Sequence, residues 1–590
     1  MSRTTPRSRW LRSVGFLTAA TMVFAACGGD DDSSDVDDTA QEAPTDTADD
    51  DTDDTDDTTD DDTTDTTDTT VDDTTDDDTT DTTIDDTTDE IVTAALGEDC
   101  VGPTGGTITV AVPSVSTTLD PLTASGGLGG DLIHIYDVLF AYDAETGEYV
   151  PRLAESVTPN DDATVWTVVL RDDVTFGNGD PMDAAAVKAS MDRHLTEGST
   201  SVLVAYQALI ADVAVVDDVT LEFTLTGPWG AFPFGLTRGL GYITNVDVID
   251  EVGAETFATD PTGGGAGPFE VTRFSPPESI EFTAKDGWWG GELCVDRVVY
   301  EVIPDASTAN EAYRNNEIDV ALVDARSPIA SAEAKDLSDN VATFIQHGGG
   351  VLMLNAGRGE QPPITADPRI RAAIAAAIDP AMVDERAFDG VGFPQNSLIQ
   401  EASRVYEPLD GPPYDPDLAS ELVEEVKAET GWDGTLRFDC VTNLADAALS
   451  MGAMLGAVGF ELQLEPNRTL PQQIELVIAG NFDIACFGHT PDEADLWDGL
   501  RPYASDNPRN LSGIASPEID AALEVLRGAT TTDEVQEAME QVQAAWNEEN
   551  PAVVYAAFEH VLIWDDAVDG VGQNYSVTVV PTFDKASVSR

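Results

Sequence analysis

The side chains that could carry out bond chemistry are scattered along this chain without the spacing that catalysis requires. The five histidines, His134, His194, His347, His489 and His560, match neither the HExxH pattern nor a two-Cys, two-His pattern, so they predict no metal site. The sequence also lacks a GxSxG nucleophile motif and a GxxxxGK[ST] phosphate loop. Its 112 Asp and Glu residues are too frequent for any one pair to stand out as an acid–base couple. These residues therefore predict no particular catalytic centre and no cofactor, and a secreted hydrolase with two hidden acids stays open as an alternative.

The first 27 residues resemble a bacterial export signal. Four arginines, from Arg3 to Arg12, precede an apolar run over 14–26 that is too short to span a bilayer comfortably. The run ends at Phe24-Ala25-Ala26-Cys27 and two glycines, which resembles a lipobox, where the Cys thiol receives diacylglycerol. We expect Cys27 to be lipidated and to anchor the chain to the outer face of the cell membrane. An ordinary secretory signal with an incidental Cys is the alternative.

The other four cysteines can pair if the chain is exported to an oxidising compartment. Cys100 and Cys294 each precede an apolar, β-branched run, and Cys440 and Cys486 each lie at or near the end of one. Adjacent strands would bring each pair together, so we predict the disulfides Cys100–Cys294 and Cys440–Cys486. The alternative is buried free thiols, because parallel neighbours give awkward disulfide geometry.

Residues 28–97 are predicted to be a disordered linker rich in Asp and Thr. The stretch from Asp30 to Glu90 contains 30 acids, no Lys or Arg, and too few apolar side chains to form a core. Charge repulsion should extend it as a spacer, although calcium binding or glycosylation of its threonines are alternatives. Removing these 30 acids and the four signal arginines from the total charge of -84 leaves -58 on the remainder. Such a surface excludes nucleic acid and anionic membranes as partners.

Beyond residue 97 the chain alternates β-branched runs with capped helices. Strands are predicted at 107–112, 166–170, 220–225, 298–303 and 461–464. Helices are predicted to begin at the N-cap residues Asp183, Asp367, Asp415 and Ser516, and the last three precede a proline at the first helical position. A final helix carries the apolar stripe Val535, Met539, Val542 and Trp546. This alternation predicts α/β lobes.

One βαβ unit is predicted within the first lobe. It consists of the strand at 298–303, a helix through Tyr313 and a strand at 320–323. Its first strand is expected to lie beside the strand at 107–112. Ligands of such sheets bind near the carboxyl ends of the strands.

Several short motifs follow one another through this part of the chain. They are Leu119-Asp120-Pro121, Tyr136-Asp137-Val138-Leu139, Val150-Pro151-Arg152-Leu153-Ala154-Glu155-Ser156, Gly265-Ala266-Gly267-Pro268-Phe269, Trp288-Trp289-Gly290-Gly291, Asp367-Pro368-Arg369-Ile370-Arg371 and Asn481-Phe482-Asp483. Their joint order and spacing resemble the extracellular solute-binding proteins of family 5, the peptide and nickel binding proteins of ABC importers. The resemblance covers residues from about 105 to 575.

The resemblance implies a two-lobe α/β fold of the periplasmic-binding-protein type (type II, cluster C-like) with an extra subdomain. We expect lobe I with the subdomain at 98–350, lobe II at 351–560, and a return to lobe I at 561–590. The chain is expected to cross between the lobes near 347–355 and near 556–564. Closure about these crossings would be a hinge motion that excludes water from the ligand.

The resemblance also implies a place for the ligand. In some members an acid after the Phe-Asp strand meets the amino terminus of a peptide, and residues 491–497 occupy that place here. We expect Asp495 to accept a cationic group and Trp497 to form an apolar or cation–π wall. The alternative is that Asp495 is one more surface acid. Further candidates for the cleft are Phe487, His489, Asn355 and Trp229.

These features together predict a monomeric lipoprotein that captures a peptide or another medium-sized polar solute and delivers it to an ABC permease. Membrane contact is expected through the lipid anchor only. A sensor that reports its ligand to a membrane partner other than a permease is a further alternative. The side chains do not name the ligand, because the family reads peptides partly through backbone contacts and water.

Overall fold

A computed structural model describes residues 102–589 apart from 125–129, 145, 197–202, 324–325, 360–361, 489–490 and 576–577. The predicted signal with Cys27, the predicted linker, Cys100 and His489 lie outside these described residues. None of the helices among the described residues has both the length and the apolar composition needed to cross a membrane.

The secondary structure alternates strands and helices, as the sequence predicts. The strands are β1 (Thr107–Val112), β2 (Phe140–Asp143), β3 (Glu148–Pro151), β4 (Ala154–Pro159), β5 (Val165–Leu170), β6 (Ile210–Val215), β7 (Thr220–Leu225), β8 (Phe269–Ser275), β9 (Ser279–Ala284), β10 (Arg297–Val302), β11 (Val320–Val323), β12 (Val341–Leu354), β13 (Phe393–Pro394), β14 (Thr435–Val441), β15 (Glu461–Arg468), β16 (Ile484–Phe487), β17 (Ala552–Trp564), β18 (Val568–Asp569), β19 (Gly572–Tyr575), β20 (Val579–Thr582) and β21 (Ser587–Val588). The helices are α1 (Ile133–Tyr136), α2 (Ala184–His194), α3 (Val204–Gln207), α4 (Phe232–Gly235), α5 (Val246–Val252), α6 (Ala254–Phe257), α7 (Ala306–Arg314), α8 (Pro328–Leu337), α9 (Pro368–Ala377), α10 (Pro380–Ala387), α11 (Pro416–Thr430), α12 (Ala445–Ala457), α13 (Leu470–Ala479), α14 (Leu496–Leu500), α15 (Pro517–Gly528) and α16 (Thr532–Glu549).

The predicted helix starts are confirmed. Asp183, Asp367, Asp415 and Ser516 each accept a backbone N–H in the first turn of α2, α9, α11 and α15. These side chains satisfy donors that have no partner within the helix. Strand β15 runs four residues beyond its predicted end at residue 464, because it lies at the edge of its sheet and its outer half alternates exposed polar residues without an apolar signal.

One large mixed sheet organises the molecule. Its strands follow the order β15-β14-β16-β12-β17-β11-β1-β10-β9-β8, and β13 pairs with β17. The two long strands β12 and β17 are antiparallel partners; β12 also pairs with β16 on one side, and β17 with β11 on the other. These are the two segments predicted to cross between the lobes. Both predicted lobe boundaries, at residues 350 and 560, fall within them.

The predicted βαβ unit is confirmed in β10, α7 and β11. Strand β1 is parallel to both strands and lies between them. Cys294, just before β10, is buried and disulfide-bonded. Because Cys100 lies outside the described residues, its pairing with Cys294 stays a prediction. In the other half of the sheet Cys440 on β14 and Cys486 on β16 form the predicted disulfide, with a Cα–Cα distance of 4.8 Å.

Two of the sequence motifs meet in a buried ion-pair network formed by Asp137, Arg152 and Asp584. Arg152 donates to both carboxylate oxygens of Asp137 at 2.9 Å and to Asp584 at 3.2 Å. Asp137 is fully buried, and the other two side chains are nearly so. Asp584 belongs to the C-terminal segment, so this network, which we call the Arg152 network, fixes that segment against the start of the first lobe.

A smaller antiparallel sheet, β4-β5-β7-β6, forms a subdomain. Its apolar face shares one continuous core with the helix pair α15 and α16: Trp166 and Phe223 belong to the same buried cluster as Leu523 and Trp546. The same core continues through Trp229, in the loop after β7, to Trp497 and to Phe487 at the carboxyl end of β16. These three residues are among the predicted ligand contacts.

Candidate ligand-binding site

The segment at 491–498, which we call the acidic segment, follows β16 and is buried. Asp492, Glu493 and Asp495 are only 6%, 5% and 3% exposed. The alternative that Asp495 is a surface acid is therefore wrong. Carboxylates are rarely this buried unless a partner compensates for the lost hydration, so each of the three requires an account of what surrounds it.

Asp495 is held by two neutral donors. It is the N-cap of α14, where its Oδ1 accepts from the backbone N–H of Asp498 at 3.0 Å. Its Oδ2 accepts from the indole Nε1–H of Trp229 at 3.1 Å. Burial raises the pKa of Asp495 to about 7, and the negative charge of Asp498 acts in the same direction.

The three aromatic and acidic candidates Trp229, Asp495 and Trp497 lie together. The indole rings of Trp229 and Trp497 are 6.3 Å apart, and both residues are buried. Two guanidinium groups lie over the ring of Trp497, that of Arg501 at 5.1 Å and that of Arg527 at 5.0 Å. The protein's own arginines thus make the cation–π contacts that the sequence assigned to a ligand.

Asp492 is the residue that sequence reasoning missed. Its Oδ1 is buried and receives no hydrogen bond from the described residues, and its Oδ2 lies 3.7 Å from a guanidinium nitrogen of Arg238. Burial raises the pKa of Asp492 well above its ordinary value, and the positive charge of Arg238 opposes that effect only in part. The sequence feature that could have identified Asp492 is its position three residues before Asp495 in the same segment.

Arg238 reaches the acidic segment from the subdomain. Its Nε donates to the hydroxyl of Tyr206 at 3.0 Å, and its guanidinium lies 4.3 Å above the ring of Phe234. A second guanidinium nitrogen is 3.5 Å from Asp498, which is also paired with Arg501 at 2.7 Å. Arg238 is therefore shared between two carboxylates without a short hydrogen bond to either.

Glu493 fixes the acidic segment to β12, one of the two strands predicted to cross between the lobes. Its Oε1 lies 3.0 Å from Nε2 of the fully buried His347 and accepts from the Ser403 hydroxyl at 2.6 Å and from the Arg404 backbone N–H at 3.2 Å. Burial opposes ionisation of Glu493, but the hydrogen bonds from His347 and Ser403 outweigh it and hold its pKa below the ordinary value. Glu493 is thus satisfied within the protein, whereas Asp492 is not.

The remaining sequence candidates occupy different places. Phe487 ends β16, is partly buried, and pairs through its backbone with Val351 on β12. Asn355 is buried, and its amide donates to the carbonyl groups of Gly480 and Phe482, which stabilises the chain after α13. His489 lies outside the described residues. Phe487 and Asn355 stay predictions as ligand contacts.

The described residues contain no group of three His, Cys, Asp or Glu side chains arranged to hold a metal ion. The candidate site consists of the buried acids of the acidic segment, the shared guanidinium of Arg238 and the rings of Trp229 and Trp497. A model of the middle region of the bacterial extracellular solute-binding proteins, family 5, matches residues 148–510, which is more than half of the chain.

The chain belongs to this family. This family 5 protein is 26% identical over 331 residues to the glutathione-binding protein GsiB of Salmonella paratyphi A, a match that covers 56% of this chain. The match spans 63% of the length of that relative, which is less than two thirds.

Two solved structures share the fold of this family 5 protein. The substrate-binding protein CtaP of Listeria monocytogenes superimposes with a TM-score of 0.67 at 20% identity and covers 82% of this chain and 100% of its own. The binding protein DppA of Helicobacter pylori, solved with the peptide STSA, gives 0.65 at 22% identity, with 83% and 99% covered. The predicted α/β, two-lobe periplasmic-binding-protein fold is confirmed.

Proposed function

We propose that this family 5 protein is the substrate-binding lipoprotein of an ABC importer. It captures a peptide or another medium-sized polar solute between its lobes and delivers it to a membrane permease. It performs no bond chemistry, acts as a monomer, and is held at the outer face of the cell membrane by lipidated Cys27. The linker at 28–97 separates the binding module from that anchor.

The observation that carries this proposal is the buried Oδ1 of Asp492, to which no described residue donates a hydrogen bond, beside Asp495, which only neutral groups bind among those residues. Two carboxyl groups buried side by side carry a desolvation cost when they ionise, and a positively charged group would offset that cost. A ligand with an amine, such as the amino terminus of a peptide, supplies that charge and donates charge-assisted hydrogen bonds.

Two tyrosine hydroxyls hold the backbone around these acids. The Tyr149 hydroxyl donates to the carbonyl of Ala494 at 3.4 Å, and the Tyr406 hydroxyl donates to that of Glu493 at 3.0 Å. These bonds hold the backbone of the acidic segment from two sides, so the carboxylates are preorganised. The relative named for glutathione and the neighbour solved with a peptide are in keeping with an amine-bearing ligand.

Native mass spectrometry of the gently purified protein tests the proposal. We expect one equivalent of a bound small molecule that carries a cationic group, and we expect Asp492→Asn to lose it. The matched control is Asp415→Asn, which changes an exposed N-cap acid on α11 and should retain the molecule. Conversion of the released molecule to a product by the wild-type protein would favour the hydrolase alternative.

A further inference from the structure

Arg238 is a loosely held cation within the site. Its distances of 3.7 Å to Asp492 and 3.5 Å to Asp498 exceed the 2.7–3.2 Å of a direct N–H···O hydrogen bond. Arg501, by contrast, lies 2.7 Å from Asp498 and is the tightly bound partner of that carboxylate. Of these two guanidinium groups, that of Arg238 is the one that an incoming cation can displace while the shorter ion pair of Asp498 stays intact.

The two sides of this contact belong to different parts of the fold. Arg238 follows α4 in the subdomain, where the Tyr206 hydroxyl and the Phe234 ring support its side chain. Asp492 and Asp498 belong to the acidic segment after β16. The side chain of Arg238 is only 15% exposed, so its charge is directed at the carboxylates and away from solvent.

The position of Arg238 matters because of the free oxygen on Asp492. In the part of the chain that the structure describes, its Oδ1 has no hydrogen-bond partner, although Arg238 lies beside the other oxygen of the same carboxylate. The guanidinium therefore supplies charge to Asp492 without completing its hydrogen bonds. A small ammonium group could do both, because it presents three donors from one compact centre.

We propose that Arg238 is a tethered competitor for the cationic group of the ligand, and that it thereby determines which solutes the site accepts. This inference rests on the proposed function and adds a specificity residue to it. Without ligand, the guanidinium neutralises the acidic segment and holds the subdomain against it. A solute must present a positive charge that approaches Asp492 more closely than Arg238 does, so neutral and anionic solutes are rejected.

Chemical rescue tests whether a guanidinium occupies this place. In the full-length protein without ligand, Arg238→Ala should increase the radius of gyration measured by small-angle scattering, because the bridging charge is lost. Added ethylguanidinium should restore the wild-type value saturably in Arg238→Ala, and ethylurea, which has a similar shape but no charge, should not. Wild-type protein and Arg238→Lys should not respond to either compound. Circular dichroism establishes that each variant folds.

The results that would overturn the inference are specific. Equal scattering curves for wild type and Arg238→Ala, or rescue by ethylurea as strong as by ethylguanidinium, would show that Arg238 does not act as a cation at this place. Rescue that persists when Asp492→Asn is combined with Arg238→Ala would show that the acidic segment is not its partner.

Affinity for the natural solute separates this inference from the proposed function. With the co-purified molecule as titrant, Arg238→Ala should bind about tenfold more tightly than wild type, because a competitor lowers apparent affinity by the fraction of occupied sites. Weaker binding by Arg238→Ala would make Arg238 a direct ligand contact and would contradict the inference while leaving the proposed function intact. A co-purified molecule without a cationic group would contradict the proposed ligand class, whatever the rescue experiment shows.

Discussion

Replacing Asp495 by Asn should remove a pH dependence of stability that its burial creates. Burial raises the pKa of this carboxyl from its ordinary value near 3.8 to about 7. Between about pH 4 and pH 7 the unfolded chain has lost this proton while the folded chain retains it, so the free energy of unfolding falls as the pH rises. Below about pH 4 burial of this group does not lower the free energy of unfolding, and above about pH 7 it lowers that free energy by its full amount.

The magnitude follows from the width of the window. About three pH units at about 1.4 kcal/mol each give about 4 kcal/mol of stability lost by wild type between pH 4 and pH 8 because of Asp495. Asn caps a helix as well as Asp does, so α14 keeps its N-cap. The amide nitrogen of Asn cannot accept the bond from the Trp229 indole, so that bond is lost. The loss removes about 1–3 kcal/mol at every pH and leaves the slope unchanged.

Urea unfolding followed by tryptophan fluorescence at several pH values between about 5 and 8 measures this difference. Urea is the suitable denaturant because guanidinium would compete for the acidic segment. The stability of Asp495→Asn relative to wild type should rise with pH up to about 7 and level off above that pH, and Asp415→Asn should run parallel to wild type. Parallel curves for Asp495→Asn and wild type would refute the assigned burial effect.

Three further predictions concern the scaffold. Arg152→Met should lower the free energy of unfolding by about 3–5 kcal/mol, because it leaves buried carboxylates unpaired. The control Lys188→Met, which breaks the exposed ion pair between Lys188 and Asp192, should lower it by less than about 1 kcal/mol in the same urea titration. Cys440→Ser should cost about 4 kcal/mol, because the disulfide closes a loop with a sequence separation of 46. The difference between wild type and variant should disappear when both are unfolded in reductant, which also reduces the disulfide of Cys294 in both proteins. Gly349→Ala should lower the melting temperature, because its Cβ would lie 2.8 Å from the ring of Phe558. A melting temperature equal to that of wild type would show that β12 and β17 shift to make room for the added methyl group.

Much of the fold could be predicted because its signals are local. An N-cap such as Asp183 needs only its own first turn, and β1 and β10 have the β-branched composition of buried parallel strands. The motifs around Asp137 and Arg152 could be recognised in the sequence, although their physical reason, a shared buried ion-pair network, became visible only in the structure.

The candidate site was harder to predict because its properties depend on contacts between distant segments. The sequence points to Asp495, and the structure shows that carboxylate capping α14 and binding Trp229. The sequence does not distinguish the roles of Asp492 and Glu493, because both are acidic residues of the same segment. Glu493 differs from Asp492 because His347 lies beside Glu493 at hydrogen-bond distance, whereas Arg238 lies at a longer distance from Asp492.

A crystal structure of the protein with its co-purified solute tests the central claim most directly. The measured quantity is the distance from the nearest cationic nitrogen of the solute to Oδ1 of Asp492. We expect a direct hydrogen bond, at most about 3.2 Å long, with Arg238 displaced from its present position. A solute bound elsewhere, or bound between the lobes with Oδ1 of Asp492 still unpartnered, would contradict the claim.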